Sequence, residues 1–173
     1  MLFHHNHARE NHNVRALRWD KACEEDARWS ANLCNFTHQF PNDNAHSQGQ
    51  NIFTVSGDVF NATAAVIDSW YKSEFAVMTE KKLWGKENPV DDSRVDHFHE
   101  VGHLTAMVWN DTEAVGCASV DCQGRMVMGD GKPTDMARFT VCNYYPAGNF
   151  GGQFGVQVLL PKDWDVSKYH WDD

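Results

Sequence analysis

No stretch of this sequence approaches the roughly 20 consecutive apolar residues that a membrane-spanning helix needs. Basic residues are scarce beside acidic ones, 15 Lys and Arg against 24 Asp and Glu, for a formal net charge of −9. That balance excludes a general binder of nucleic-acid phosphates, which needs a basic face. Internal repeats and low-complexity tracts are absent, and with them the basis for a solenoid. The 42% hydrophobic and 12% aromatic content excludes a disordered chain. What the sequence does have is 173 residues, enough for one domain that buries roughly 70% of its unfolded surface. It also has an odd number of cysteines, 5, and 10 histidines.

Cys23 stands apart from the other cysteines. It sits in an apolar row at helical spacing with Leu17, Trp19, Ala27 and Ala31, which predicts a buried free thiol. Cys34, Cys117, Cys122 and Cys142 lie in Asn-, Gly- and turn-rich surroundings. They can form two disulfides in any of three pairings. Three sequons accompany them: Asn35-Phe36-Thr37, Asn61-Ala62-Thr63 and Asn110-Asp111-Thr112. Together these features point to a secreted protein. No run resembles a secretory signal, so the expected chain is a form that begins after one.

Periodicity predicts one helix over about residues 6–33, with Val14, Leu17, Cys23, Ala27 and Ala31 on its apolar face. Residues 35–51 read as a loop. A second helix is expected from about Val59 to Phe75, capped by Asp58. Residues 79–98 read as a long polar loop, and 103–109 are apolar without a clear type. Strand-like runs follow at Ala114–Val120, Arg125–Met128 and Arg138–Tyr144, with another at Val156–Leu160. Helices first and strands later suggest α+β layering.

His99-Glu100-Val101-Gly102-His103 matches the H-E-x-x-H pattern. On a helix the two His share a face, and the Glu between them can act on a zinc-bound water. Gly102 lowers helix propensity, and the continuation lacks a third His.

The residues from Gly102 onward carry a different message. Gly102-His103-Leu104-Thr105-Ala106-Met107-Val108-Trp109 resembles the first signature of the CAP superfamily, roughly G-H-[FYL]-T-[QA]-x-[VL]-W. This superfamily comprises cysteine-rich secretory proteins, antigen 5 venom proteins and pathogenesis-related group-one proteins. Cys142-Asn143-Tyr144-Tyr145-Pro146-Ala147-Gly148-Asn149 is similar to its C-N-Y-x-P-x-G-N signature. His5-Asn6-x-Ala8-Arg9 with Leu17-x-Trp19-Asp20 looks like its first helix, and Gly49-Gln50-Asn51-Ile52 like its G-E-N-[LI]. The resemblance implies a secreted α-β-α sandwich, a single CAP domain over residues 1–173 with 163–173 as an acidic aromatic extension. It also implies bridged cysteines near both signatures.

The family's central cavity is lined by two His and two acidic residues, and in some members it binds a divalent metal such as zinc. One His position falls on His103. The other falls on His38, with His46 as the competing choice. The first acid position is occupied by Gln50. The second is expected three residues after Trp70, at Ser73, with Glu74 one residue later. An amide offers a dipole where a carboxylate offers a charge, so weaker zinc binding than a full tetrad is expected. In the plainer alternative, His38 and His103 only hydrogen-bond and stiffen the cavity.

No nucleophile–base–orienter set is legible, so no catalytic residues are assigned. The resemblance favours a monomer or weak dimer that binds a sterol, a fatty acid or another small hydrophobic ligand. The loop after helix two, with Phe75, Val77, Met78, Leu83, Trp84 and Phe98, would supply an aromatic flap, with Phe75 and Trp84 as its contacts. The plainer role for those two rings is to pin the loop. The alternatives are a non-enzymatic effector or allergen-like protein acting through a host protein partner, and a zinc-dependent hydrolase using His99, Glu100 and His103.

Overall fold

The structure is a computed structural model that describes residues 1–41 and 47–169. It mixes helices and sheet, the expected α+β class. It has two compact units, each built from separated stretches of chain. The first comprises Met1–Leu17, Ala62–Glu113 and Gly148–Asp173, and the second Arg18–Asn61 and Ala114–Ala147.

The second unit holds the main sheet, in the order β1 (Arg18–Trp19), β4 (Ala114–Asp121), β6 (Arg138–Tyr145), β3 (Gly49–Val55). β6 is antiparallel to both neighbours, and β1 runs parallel to β4. β6 is paired on both sides and buried from Arg138 through Tyr144. A small parallel pair, β2 (Asn35–Phe36) and β5 (Val127–Met128), completes the unit's strands.

Helix α2 (Lys21–Asn32) packs on β4 and β6 through Cys23, Ala27, Ser30 and Ala31. Small side chains on this face let the helix approach closely. At Gly116 on β4, an added Cβ would lie 2.1 Å from the Glu24 nitrogen, so no larger residue fits. The core beneath combines Ala27, Ala31, Ile52, Met126, Phe139 and Val141 with Cys34 and Cys122. Disulfides join Cys34 to Cys122 and Cys117 to Cys142. Cys23 is free and buried, as its helical row predicts.

The first unit is helical: α1 (Leu2–Asn11), a π-helical stretch (Ala64–Ser73), α3 (Glu74–Glu80), α4 (Phe98–Val108) and the short α5 (Phe154–Gln157). The helix expected over 6–33 is therefore two helices. Asn13 takes a left-handed backbone conformation at φ 55° and ends the first. The Asn6 side chain then bonds both backbone groups of Leu17, which turns the chain back. Asp20 caps the second helix by accepting from the Cys23 N–H. Val14 and Leu17 are buried as their spacing predicts, but from a loop.

The second expected helix begins and ends later than predicted, and Asp58 is not its cap but an ion-pair partner of Arg138 at 3.5 Å. β3 begins inside the stretch read as loop, at Gly49–Asn51, because pairing with β6 overrides the poor strand propensity of Gly49, Gln50 and Asn51. The strand expected at Val156–Leu160 does not form. Val156 and Leu160 are exposed, while Gln157 bonds the backbone of Asn110 and Asp111.

Candidate functional site

The first unit places His103 on α4, and α1 holds the end of that helix. Arg9 is fully buried and donates to four carbonyls: Arg15 at 2.7 Å, Met107 at 2.8 Å, Trp109 at 2.9 Å and Thr112 at 2.9 Å. A guanidinium at a helix C-terminus satisfies its last carbonyls and complements its dipole. The other end of the signature region is fixed by Gly148, where a Cβ would meet the Trp109 ring at 2.6 Å. Asn149 donates to the Gly102 carbonyl at 2.9 Å. The last two residues of the second signature, Gly148 and Asn149, thus meet the first signature at α4.

Glu74 is the residue against His103. Its Oε1 accepts from His103 Nδ1 at 2.5 Å, and its Oε2 from the Leu104 N–H at 2.7 Å. The Trp70 ring stacks on the imidazole, with centroids 5.9 Å apart and planes at 9°. Glu74 lies four residues after Trp70 instead of three. The π-helix absorbs this offset, because its i→i+5 bonding takes in one more residue than an α-turn. Burial pushes the Glu74 carboxyl above its usual range, and the bonds from His103 and Leu104 pull the other way. The Glu74 side chain is 9% exposed and that of His103 31%, so the imidazole is the solvent-facing member.

The second unit holds the other predicted pair. His38 Nδ1 lies 3.3 Å from Gln50 Oε1. The Gln50 amide nitrogen donates to the Gln39 carbonyl at 2.9 Å and to Asn143 Oδ1 at 3.0 Å. His46, the competing choice for His38, lies outside the described residues. In each pair the expected acid position backs its histidine through Nδ1. The pairs belong to different units.

Toward a divalent cation this pair offers one donor, His103 Nε2, with both Glu74 oxygens already engaged. With Nδ1 bonded to Glu74, Nε2 is the ring nitrogen left for a ligand. A carboxylate behind a histidine is the usual arrangement for a metal ligand. The sulfurs of Cys117 and Cys142 are bonded to each other and offer no thiolate.

Phe75 is buried, and Trp84 packs on it with ring centroids 5.1 Å apart. Trp84 also stacks on His12 at 5.5 Å and meets Trp164 at 6.0 Å. These contacts hold the start of the 81–97 segment to α1 and α3. Further along, Pro89, Val90, Phe98 and Phe154 line a cavity of about 240 Å3, edged by Asn88, Asp96 and Asn149.

His99 and Glu100 do lie on a helix, Gly102 notwithstanding, and both are exposed. Glu100 bonds His97 Nδ1 at 2.5 Å, next to the helix start, and Asp91 bonds Nε2 of the same ring at 3.1 Å. Sequence reasoning missed the roles of Arg9 and of Trp70's ring. Arg9 stood within the opening motif, whose spacing carried no hint of a helix cap.

The sequence profile of the CAP family, the cysteine-rich secretory protein family, matches residues 2–144. A probable pathogenesis-related protein of Arthroderma benhamiae is 39% identical over 160 residues, covering 92% of this chain and 48% of that protein. Pathogenesis-related protein PR-1 of Medicago truncatula is 36% identical over 157 residues, covering 88% of this chain and 75% of that protein. Venom allergen 5 of Dolichovespula arenaria is 32% identical over 144 residues, covering 82% of this chain. This chain spans 48% of the length of the Arthroderma relative and 62% of the length of the Dolichovespula one. Among solved structures, NaASP2 with Zn2+ gives a TM-score of 0.63 at 23% identity, covering 94% of this chain and 84% of that one. Venom allergen-like protein 4 of Schistosoma mansoni gives 0.58 at 21%, covering 94% and 93%. At those identities the likeness is one of fold. With both signatures present and the profile matching residues 2–144, the protein belongs to the CAP family.

Proposed function

We propose that this protein acts outside the cell as a binding protein rather than an enzyme, and that it holds a divalent cation on His103 Nε2. The observation that carries this reading is the 2.5 Å bond from His103 to the buried Glu74, which fixes the imidazole's tautomer and direction. Both Glu74 oxygens are engaged, so its role is to orient the ring. A bound cation would supply a fixed positive charge for an oxygen of a ligand. NaASP2, which shares the fold, was crystallised with Zn2+. Two disulfides and the sequons support an extracellular setting.

A small hydrophobic ligand, a sterol or a fatty acid, is the second half of this reading. It is favoured by the apolar cavity at Pro89, Val90, Phe98 and Phe154, whose volume of about 240 Å3 suits an alkyl chain or part of a ring system. Trp84 and Phe75 anchor the start of the segment whose Asn88, Pro89, Val90 and Asp96 line it. Radiolabelled cholesterol and palmitate should each be titrated into purified protein. Saturable binding of either, lost in Phe98→Ser and reduced in Trp84→Ala, is expected. The absence of saturable binding for both would overturn the lipid half of the proposal.

A further inference from the structure

Four side chains of the second unit form a line of hydrogen bonds that all run one way. Gln48 Nε2 donates to Asp26 Oδ2 at 2.8 Å. Asn143 Nδ2 donates to Gln48 Oε1 at 2.7 Å, and Gln50 Nε2 to Asn143 Oδ1 at 3.0 Å. Gln50 Oε1 then faces His38 Nδ1 and accepts from the Gln39 N–H, both at 3.3 Å. Cross-strand pairing of Gln50 with Asn143 sets the middle of the line. Gln48 and Asn143 are buried.

An amide has a donor end and an acceptor end, whereas a carboxylate only accepts. Asp26 therefore dictates the orientation of Gln48, Gln48 that of Asn143, and Asn143 that of Gln50. Reversing any one amide alone sets oxygen against oxygen, which in a buried place costs a full unmet hydrogen bond. The Gln39 backbone imposes the same direction on Gln50 independently, with its N–H at Oε1 and its carbonyl at Nε2. The line thus has room for a carboxylate at one end only.

We infer that Asp26, Gln48 and Asn143 are positioning residues that hold Gln50 as an oriented acceptor for His38, fix His38 as the Nδ1–H tautomer, and exclude a carboxylate from position 50 while Asp26 is present. This inference concerns His38 and stands whether or not a cation binds at His103. With glutamate at position 50, Asn143 and Gln48 must both turn over to keep their bonds, and the Gln48 oxygen then meets Asp26. The glutamate also sets an oxygen against the Gln39 carbonyl, to which Gln50 Nε2 donates at 2.9 Å, beside the Ser30 hydroxyl 3.3 Å from that nitrogen, so the conflict falls at both ends of the line. Asparagine at position 26 can donate to the Gln48 oxygen and relieves the Asp26 end, while the Gln39 carbonyl stays opposed.

The test is a double-mutant cycle by thermal melting at pH 8 on the intact protein, with Gln50→Glu, Asp26→Asn and the pair together. Gln50→Glu alone should lower the melting temperature by about 5 °C, and adding Asp26→Asn should restore part of it. Additive effects, or a Gln50→Glu variant as stable as the parent, would overturn the proposal. Nitrogen NMR of labelled imidazoles supplies a readout that packing alone would not move. His38 should be the Nδ1–H tautomer in the parent and lose that preference in Gln50→Met. A parent His38 protonated at Nε2 would equally overturn it.

Discussion

Trp70 lies flat against His103, and the chain reaches from that ring to Glu74 in four residues through a π-helical stretch. The imidazole is therefore held from its face by an aromatic ring and from its edge by a carboxylate. The two restraints predict separable effects.

Glu74→Gln leaves one carbonyl oxygen where two carboxylate oxygens now serve His103 and Leu104. His103 should lose its fixed tautomer while the Trp70 stack remains. Zinc affinity should fall about 10–100-fold, as measured calorimetrically. Near-ultraviolet circular dichroism should stay close to that of the parent.

Arg9 predicts a stability effect with no ligand involved. Arg9→Met retains the buried stem but leaves the carbonyls of Met107, Trp109 and Thr112 without their donor. The loss should be about 3 kcal/mol or more in urea unfolding. Arg9→Lys should recover only part of it, because an ammonium cannot span the fork of acceptors that a guanidinium reaches.

Mild acid should weaken the fold through His12. Its Nδ1–H donates to the Leu159 carbonyl at 2.7 Å, so Nε2 accepts from the Tyr71 hydroxyl at 3.0 Å. Burial lowers its pKa from 6.5 to about 4. The unfolded chain therefore binds a proton below pH 6.5 that the folded chain refuses until about pH 4. Stability is full above pH 6.5 and falls as pH drops through that window, by roughly 3 kcal/mol from this group. His5, lowered by burial to about 3, extends the decline. Urea midpoints measured from pH 7.5 to 4 should show this slope, and His12→Gln should flatten it.

Much of this architecture was legible from sequence, and the exceptions have physical reasons. β4 and β6 announced themselves as apolar runs, and Cys23 as a thiol within a helical row. The signature glycines and His103 marked the region around α4. The break at Asn13 was hidden because Val14 and Leu17 keep helical spacing while packing from a loop. β3 was hidden because cross-strand bonds to β6, and not local propensity, make Gly49–Val55 a strand. Glu74 seemed one residue out of place because nothing in the local sequence signals a π-helix. Gln50 read as a missing acid, since its partner Asn143 meets it only across paired strands.

The cysteines should sort by reactivity. Burial pushes the Cys23 thiol up to about 12, so it should resist alkylation in the native protein and react once unfolded. The Cys34–Cys122 bond spans 88 residues and should contribute about 4–5 kcal/mol by loop closure. Cys34→Ser with Cys122→Ser should therefore destabilise more than Cys117→Ser with Cys142→Ser, whose span is 25. Urea midpoints of the two double variants and mass-detected alkylation provide the check.

The central claim is a cation held by His103, and calorimetric titration of zinc into the parent and His103→Ala tests it most directly. Heat of binding that is present in the parent and absent in the variant is the predicted result. Equal heat in both proteins would place the ion elsewhere and contradict the account.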